Sequence, residues 1–305
     1  MTHLDWPALP YEEWKDTYET LHLWMQIVGK IRLDRMPWIN HCWQVTFYPS
    51  ARGLTTGSMP YGAEHLQIDF DFVGHELVLQ TSRGERRNIA LVPMSVADFY
   101  RALMAALEAV GMPVQIYRKP VEMEGQVPFD VDTLHRAYDG EYAQRCWRIV
   151  TSSAVVLTRF RSHFYGKVSP VHFFWGSFDL AVTRFSGRTA PPHPGGMPNL
   201  PDRVTRDAYS HEVSSCGFWP GGAPAPYPLF YSYAYPEPDG FGAAPLRPSG
   251  ARYDSVLREF VLPYDALRKA DNPEEELLAF LQSTYEAAAN LGHWDRRGLE
   301  ATPPQ

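Results

Sequence analysis

The same succession of elements occurs twice along the chain: a helix, several strands and a closing helix. This repeat restricts the fold more than any other feature of the sequence. From Tyr11 to Arg32, apolar residues recur at intervals of three and four, which is typical of an amphipathic helix. The stretch "HLQIDFDFVGHELVLQ" then alternates between apolar and polar residues, as antiparallel strands do. Ser95 begins a helix through Val110, which Gly111 closes as C-cap.

The second half repeats this order. Residues Asp139 to Phe164 predict a long helix, Ser169 to Arg188 a strand pair, and Pro273 to Leu291 a final helix closed by Gly292. We therefore expect an α+β protein of two similar α-β-α halves, residues 1–125 and 126–305, with antiparallel meander sheets and helices on one face. The sheets would meet at a pseudo-twofold axis or extend one another. An internal duplication explains the order; coincidence is the alternative, because the halves share few identical residues.

The two halves differ in their loops, and this difference indicates where a site would lie. The first half has short turns, whereas the second contains "GRTAPPHPGGMPNLPD", "WPGGAPAPYP" and "PEPDGFGAAPLRPSG". Loops beyond about 12–15 residues in a compact domain are usually functional lids or disordered segments. We therefore expect the first half to be a scaffold and the second half to carry the site.

The aromatic-rich stretch "SPVHFFWGSFDLAVTRFSGR" predicts a hairpin that turns at Gly176-Ser177. This register pairs His172 with Ala181 and Phe174 with Asp179. One face is then wholly apolar and suited to a core, while the other holds His172, Phe174 and Asp179 and is suited to line a pocket. The alternative is a buried His172 bonded to a backbone carbonyl and an Asp179 that caps a turn or pairs with Arg184.

The stretch "AYSHEVSSCGFWPGG" holds the other dense group of polar residues. His211 and Glu212 are adjacent, so on a regular strand they face opposite ways. We expect His172, His211, Glu212 and Asp179 to act in acid–base catalysis, with either histidine as the general base. Phe174, Trp219, Arg184 and Arg188 are the candidate substrate-binding residues, and the two arginines suit an anionic substrate. They could equally be solvated.

A metal centre has weaker support in the sequence. The histidines and one carboxylate fit a two-histidine-one-carboxylate set, but no HxH, HxD or HExxH spacing accompanies them, so we assign no metal ligand. The carboxylates of Asp69 and Asp71 share a strand face, which more often marks the wet side of an antiparallel sheet than an ion site. The GxGxxG, GxxxxGK[ST] and GxSxG motifs are missing, and no cofactor is indicated.

Charge and cysteine content narrow the partners and the compartment. The net charge is −7 and there is no basic cluster, which argues against nucleic acid as a partner. There is no run of eighteen apolar residues and no signal-peptide pattern in "MTHLDWPALPYEEW", so we expect no membrane association. Cys42, Cys146 and Cys216 are widely spaced in apolar segments, as reduced thiols of a cytoplasmic protein are. The oligomeric state is not indicated.

Several stretches together resemble a bacterial family that is catalogued only as a domain of unknown function. They are "LPYEEWKDTYETLHLWMQIVGKIRL", "ARGLTTG", "SPVHFFWGSFDLAVTRFSGR", "AYSHEVSSCGFWPGG" and "LLAFLQSTYEAAANL", and the likeness runs from about Leu9 to Leu299. The resemblance implies a stand-alone protein of one family. It implies no activity and therefore no catalytic residues.

Two functions from different classes follow from these observations. The first is an enzyme that acts on a small molecule in a cleft of the second half, using histidine and carboxylate groups. The second is a non-catalytic ligand-binding or scaffold protein whose aromatic residues hold an apolar ligand or partner. We expect replacement of His172 and His211 by alanine to leave the fold intact under the first hypothesis, whereas a buried structural role would lower the melting temperature.

Overall fold

The structure is a computed structural model that describes residues 4–123 and 127–301. It confirms the α+β class, because each half of the chain forms its own six-stranded antiparallel sheet accompanied by helices. The expected boundary at residues 125 and 126 lies outside the described residues. The division into a scaffold half and a site half stays a prediction, as does the internal duplication.

The four predicted helices, α1, α2, α3 and α6, begin and end close to the expected positions. The α-helices are α1 (Tyr11–Arg35), α2 (Val96–Ala109), α3 (Gly140–Ser162), α4 (Asp202–Ala208), α5 (Tyr264–Leu267), α6 (Pro273–Leu291) and α7 (Arg296–Leu299). The Ser95 side chain accepts a hydrogen bond from the Asp98 amide at the start of α2. Asp139 caps α3 in the same way by accepting from the amides of Glu141 and Tyr142. These caps satisfy amide groups that the first turn of a helix leaves free.

The first sheet contains the strands of residues 48–90. They are β1 (Tyr48–Pro49), β2 (Gly53–Thr55), β3 (Met59–Tyr61), β4 (Glu64–Asp71), β5 (Glu76–Thr81) and β6 (Arg86–Ala90). The order is β1-β2-β4-β5-β6, and β3 also pairs with β4. Leu66, Ile68 and Phe70 of β4 are buried, as their alternation predicts. The stretch that precedes β1 is a 3-10 helix, Asn40–Val45.

The second sheet contains the strands of residues 172–263. They are β7 (His172–Phe174), β8 (Asp179–Thr189), β9 (His211–Trp219), β10 (Leu229–Tyr235), β11 (Arg252–Asp254) and β12 (Glu259–Pro263). The order is β11-β12-β10-β9-β8-β7. The predicted hairpin register is confirmed, since His172 lies opposite Ala181 and Phe174 opposite Asp179.

The two sheets extend one another at one edge. Phe47, just before β1, forms an antiparallel bridge with Phe173 of β7. Each amide donates to the other residue's carbonyl, with N–O distances of 2.8 Å in both directions. Of the two expected arrangements of the sheets, the structure therefore shows edge-to-edge extension.

From Thr20 to Arg32, helix α1 is buried on every side rather than along one stripe. Its residues from Thr20 to Arg32 are all buried, including polar ones. The imidazole of His22 donates from Nε2 to the Gly176 carbonyl at 2.9 Å, and the Trp175 ring lies where a side chain on Gly29 would be. Because its partners come from both halves, α1 is a central helix, and a polar residue such as His22 finds its partner inside the protein.

The second sheet has two different faces. Helices α3 and α6 pack on the face that carries Leu180, Val182 and Phe218, which are almost fully buried. The opposite face carries Asp179, Ala181 and Thr183 of β8, and it is covered by the end of α1, the 3-10 helix and α4. This second face is where the structure leaves open space.

Candidate functional site

A cavity of about 360 Å³ lies against the second sheet. Its floor is made by side chains of β7 to β10, and its walls come from the C-terminal part of α1, the 3-10 helix, the segment around Val121, and α4 with the loop before it. Both halves of the chain therefore line it. The volume falls within the usual range for sites that bind small organic molecules.

Asp179 is the acidic group of the floor. Ser177 Oγ donates to one of its carboxylate oxygens and the Tyr231 hydroxyl donates to the other. The Tyr231 ring reaches Asp179 across β9 at Gly217, where a Cβ would lie 2.7 Å from the tyrosine oxygen and 1.9 Å from the Leu180 carbonyl oxygen. Glycine is thus the residue that lets tyrosine and aspartate meet.

Two hydroxyl pairs continue the polar floor. Thr183 Oγ1 and Ser215 Oγ are 2.9 Å apart on β8 and β9. The hydroxyls of Tyr209 and Tyr233 are also 2.9 Å apart. Since each hydroxyl both donates and accepts, this floor can offer either role to a bound molecule.

The first half contributes two charged residues to the cavity, Glu122 and Lys30. Glu122 precedes the undescribed residues and adopts a φ of +58°. Its carboxylate occupies the space beside Gly176, where a Cβ would lie 2.2 Å from Oε1. Lys30, one of the buried residues of α1, places its ammonium 5.3 Å from the centre of the Tyr117 ring.

Burial shifts the pKa values of these charged groups. Burial, together with the negative charge of Asp179, raises the pKa of Glu122 to about 7. Burial also raises the pKa of Asp179, and the hydrogen bonds from Ser177 and Tyr231 offset this only in part. Burial lowers the pKa of Lys30 to about 8. The cavity therefore contains groups that can change protonation near neutral pH.

His41 also faces the cavity, but both of its ring nitrogens are engaged. Nδ1 donates to the Asp207 carbonyl at 3.1 Å, and Nε2 accepts a hydrogen bond from Lys167 Nζ. Burial, followed by the charge of Lys167, lowers the pKa of this imidazole. His41 is consequently a neutral histidine that anchors α4 to the 3-10 helix.

The first of the long loops lies over the cavity. His193 and Met197 of this loop line it, and His193 stacks on Tyr209 with ring centres 4.9 Å apart. The Glu122 amide donates to the Pro198 carbonyl at 3.2 Å, which joins the loop to the segment of the first half. The apolar rim includes Trp38, which is 48% exposed, and Met197, which is 46% exposed. The other two long loops do not line the cavity.

Of the eight site residues suggested by the sequence, Asp179 and Phe174 line the cavity. His172 does not, although it has the expected register. Its imidazole is fully buried between Phe174 and Trp43, with ring centres 4.7 and 6.1 Å away. Within the described residues neither of its nitrogens has a hydrogen-bond partner, and burial lowers its pKa to about 3. The expectation that imidazole and carboxylate line one hollow is therefore corrected.

Arg184 lies on the opposite face of the sheet from the cavity. Its guanidinium is 3.5 Å from the centre of the Phe160 ring and 4.3 Å from that of Tyr285, and it donates to the Phe160 carbonyl. It is 1% exposed. The reason is the two-residue period of β8, which places Arg184 with Leu180 and Val182 rather than with Asp179. The anion-binding position expected for it is corrected.

The remaining predicted residues are spread around the sheet. Glu212 forms an ion pair with Arg188, with 2.6 Å between Oε2 and Nη2, and Arg188 also donates to the His293 carbonyl beyond α6. His211 does not line the cavity, but its ring centre is 5.9 Å from that of His41. Trp219 packs beside a small separate cluster around Leu229. Asp179 lines the cavity, whereas His211, Glu212 and Trp219 do not. The catalytic and substrate-binding roles expected for these three residues stay predictions, and their positions do not favour them.

Metal and membrane sites can be addressed only for residues 4–123 and 127–301. There, no group of three or more histidine, cysteine, aspartate or glutamate residues is arranged to hold a metal ion. No helix in the same part of the chain combines the length and the apolar character that crossing a membrane needs.

Sequence reasoning missed several residues of the cavity. Lys30 and Glu122 are far apart in the sequence and join Asp179 only in the folded chain. One signal was available: Lys30 interrupts the apolar pattern of α1, and an isolated lysine among residues that become buried is unusual. For Glu122 the sequence contains no comparable signal.

The comparison with protein families finds a match. Residues 6–301 match a family described as "Family of unknown function (DUF5996)". The chain belongs to this family. The match covers nearly all of the chain, so the resemblance seen in its motifs is confirmed at the level of the family. No curated protein and no solved structure shows a significant match to this DUF5996 chain.

Proposed function

We propose that this DUF5996 protein binds a small organic molecule in the cavity between its second sheet and helix α1. The observation that carries the proposal is the cavity itself, with its volume of about 360 Å³, apolar walls and grouped polar side chains. Sites for small molecules combine an apolar surface, which supplies affinity, with a few placed polar groups, which supply orientation. An interior space of this size is unusual in a close-packed protein without a ligand.

The apolar walls suit a flat or branched hydrocarbon skeleton. Trp43, Trp175, Phe174 and Phe185 are among the residues that line the cavity. Burying apolar surface against such rings contributes roughly 25 cal/mol per Å². The polar floor around Asp179 would then determine which end of the ligand points inward.

Fluorescence of the neutral apolar dye N-phenyl-1-naphthylamine tests the proposal. We expect saturable enhancement in the wild-type protein and several-fold weaker binding by Ala181→Phe, because Ala181 lies on the cavity floor and its replacement fills part of the space. Ala90→Phe is the matched control, since Ala90 is exposed on the first sheet. The absence of saturable binding to the wild type, or equal binding by all three proteins, would contradict the proposal.

Acid–base catalysis is a second candidate function, because burial and the negative charge of Asp179 raise the pKa of Glu122. Two neighbouring buried carboxyl groups that do not ionise together can serve as an acid and a base, and a pKa of about 7 suits proton transfer at neutral pH. Carbon-13 NMR of the carboxyl groups tests this. We expect one glutamate resonance to titrate near pH 7 and to disappear in Glu122→Gln; titration of Glu122 below pH 5 would exclude this function.

We also propose that the protein is cytoplasmic and that its partner is a small molecule. The described cysteines Cys42, Cys146 and Cys216 are free and buried, which agrees with a reducing cytoplasm. The net charge of −7 supplies no attraction for nucleic acid. The partner we propose is therefore a small molecule.

A further inference from the structure

We propose that the ligand of this cavity is a small organic cation, an amine whose ammonium group binds between the carboxylates of Asp179 and Glu122. The inference rests on the proposed function, because it names the chemical class of the molecule that fills the same cavity. It follows from the charge pairing, the orientation of the carboxylates and the composition of the walls.

These two acidic groups lack the cationic partner that the enclosed carboxylates of Asp71 and Asp132 have. Asp71 pairs with Arg52 at 2.6 Å, and Asp132 pairs with His135 at 2.7 Å. In the part of the chain that the structure describes, neither Asp179 nor Glu122 forms an ion pair with lysine, arginine or histidine. An uncompensated buried carboxylate is costly, so a pair of them beside an open cavity indicates a site for a positive charge.

The carboxylates of Asp179 and Glu122 both keep hydrogen-bond acceptor sites free for a ligand. Ser177 and Tyr231 each occupy one oxygen of Asp179, and each carboxylate oxygen can accept a further hydrogen bond. The Glu122 carboxylate accepts no hydrogen bond from any of the described residues, and it faces the cavity beside Gly176. An ammonium group has three donors and no acceptor, which matches this set of free acceptors.

Aromatic side chains line the cavity together with the two carboxylates. The faces of aromatic rings attract cations, and tryptophan is the strongest of them. Trp43, Trp175, Phe174 and Tyr231 line the same cavity as the two carboxylates. Acidic groups among aromatic rings recognise ammonium compounds and disfavour carboxylates of the same shape.

The cations of the cavity lie away from the acidic pair. Lys30 is held over the Tyr117 ring, and burial alone accounts for its lowered pKa, with no contribution from Glu122 or Asp179. Arg203 lies over Trp38 at the exposed rim, 5.8 Å from the ring centre. A bound amine would therefore direct its ammonium to the floor and its remaining atoms toward Lys30 and the rim.

Displacement of N-phenyl-1-naphthylamine by three ligands of one shape tests the inference. They are the cation 2-phenylethylamine, the neutral 2-phenylethanol and the anion 3-phenylpropanoate. We expect the amine to compete at least about tenfold more strongly than the alcohol, as a charge-assisted hydrogen bond provides, and the anion to compete least. The advantage of the amine should shrink to about two- to threefold or less in Asp179→Asn and Glu122→Gln, and remain in the control Asp69→Asn, whose carboxylate lies on the other sheet.

The outcomes separate the two proposals. If the dye binds but the alcohol or the anion competes as well as the amine, the ligand is not a cation, while the cavity still binds small molecules. If the dye does not bind the wild-type protein, the proposed function fails and the inference fails with it. The comparison of three ligands on the wild-type protein decides the question even where a variant does not fold.

Discussion

Replacement of Lys30 by methionine should stabilise the protein, because the lysine ammonium is enclosed without an acidic partner among the residues that the structure describes. Burial lowers the pKa of Lys30 from its usual 10.5 to about 8. The 2.5-unit difference corresponds to about 3 kcal/mol of destabilisation at pH 7, at 1.36 kcal/mol per pKa unit. Methionine retains most of the packing volume and removes the charge.

The pH dependence of the unfolding free energy is a more specific test of this reasoning. Between pH 8 and 10.5 the unfolded chain keeps a proton on Lys30 that the folded protein has lost, so the stability of the wild type rises with pH in this window. The advantage of Lys30→Met should fall from about 3 kcal/mol at pH 7 to about half of that value at pH 9.5. Taking the difference between the two proteins removes the effect of all other titrating groups.

Urea unfolding followed by tryptophan fluorescence at pH 7 and pH 9.5 measures this difference. Lys15→Met is the matched control, because Lys15 lies on the same helix but is exposed beside Glu12, and we expect it to change the stability by less than about 0.5 kcal/mol. A Lys30→Met protein that is less stable than the wild type at pH 7, or whose advantage does not depend on pH, would refute the reasoning.

Three further substitutions test the site and the fold. His172→Leu should raise the stability by about 1–2 kcal/mol, because it removes two buried nitrogens that lack partners in the described residues. The gain should grow as the pH falls from 6.5 toward 3, since burial lowers the pKa of His172 to about 3. A loss of stability in urea unfolding would show that His172 has a partner. Gly217→Ala should push the Tyr231 ring away from Asp179. Burial and the charge of Asp179 raise the pKa of Tyr231, so we expect this pKa to fall in ultraviolet titration of the variant. An unchanged pKa would show that the strand accommodates the methyl group. Asp139→Ala should cost about 1 kcal/mol by removing the cap of α3, and no change in melting temperature would contradict this.

The fold was predictable wherever short-range periodicity decides the structure. The hairpin of β7 and β8 is an example, because a turn at Gly176-Ser177 together with the two-residue period fixes every pair, and the observed pairs agree. The same period, continued to Arg184, already places this residue on the core face. Its polarity suggested a binding role, but in the folded protein its charge is enclosed by aromatic rings.

The site was less predictable because its charged groups come from segments that are distant in the sequence. Glu122 reaches the cavity beside Gly176 through a backbone with positive φ and through the packing of its segment on the loop at Pro198. No local pattern encodes such a placement. For His172 the strand register was predicted correctly. The burial of its imidazole was not predictable, because it depends on Trp43 of the other half.

The central position of α1 has a consequence for synthesis of the protein. Its partner at Gly176 lies 154 residues after His22, and Trp175 covers Gly29 from the same hairpin. At a translation rate of about 5–20 residues per second, roughly 8 to 30 s pass before these partners emerge from the ribosome. During that time the apolar residues of α1 that the second half covers stay exposed, which makes this helix a natural target for chaperones that bind nascent chains.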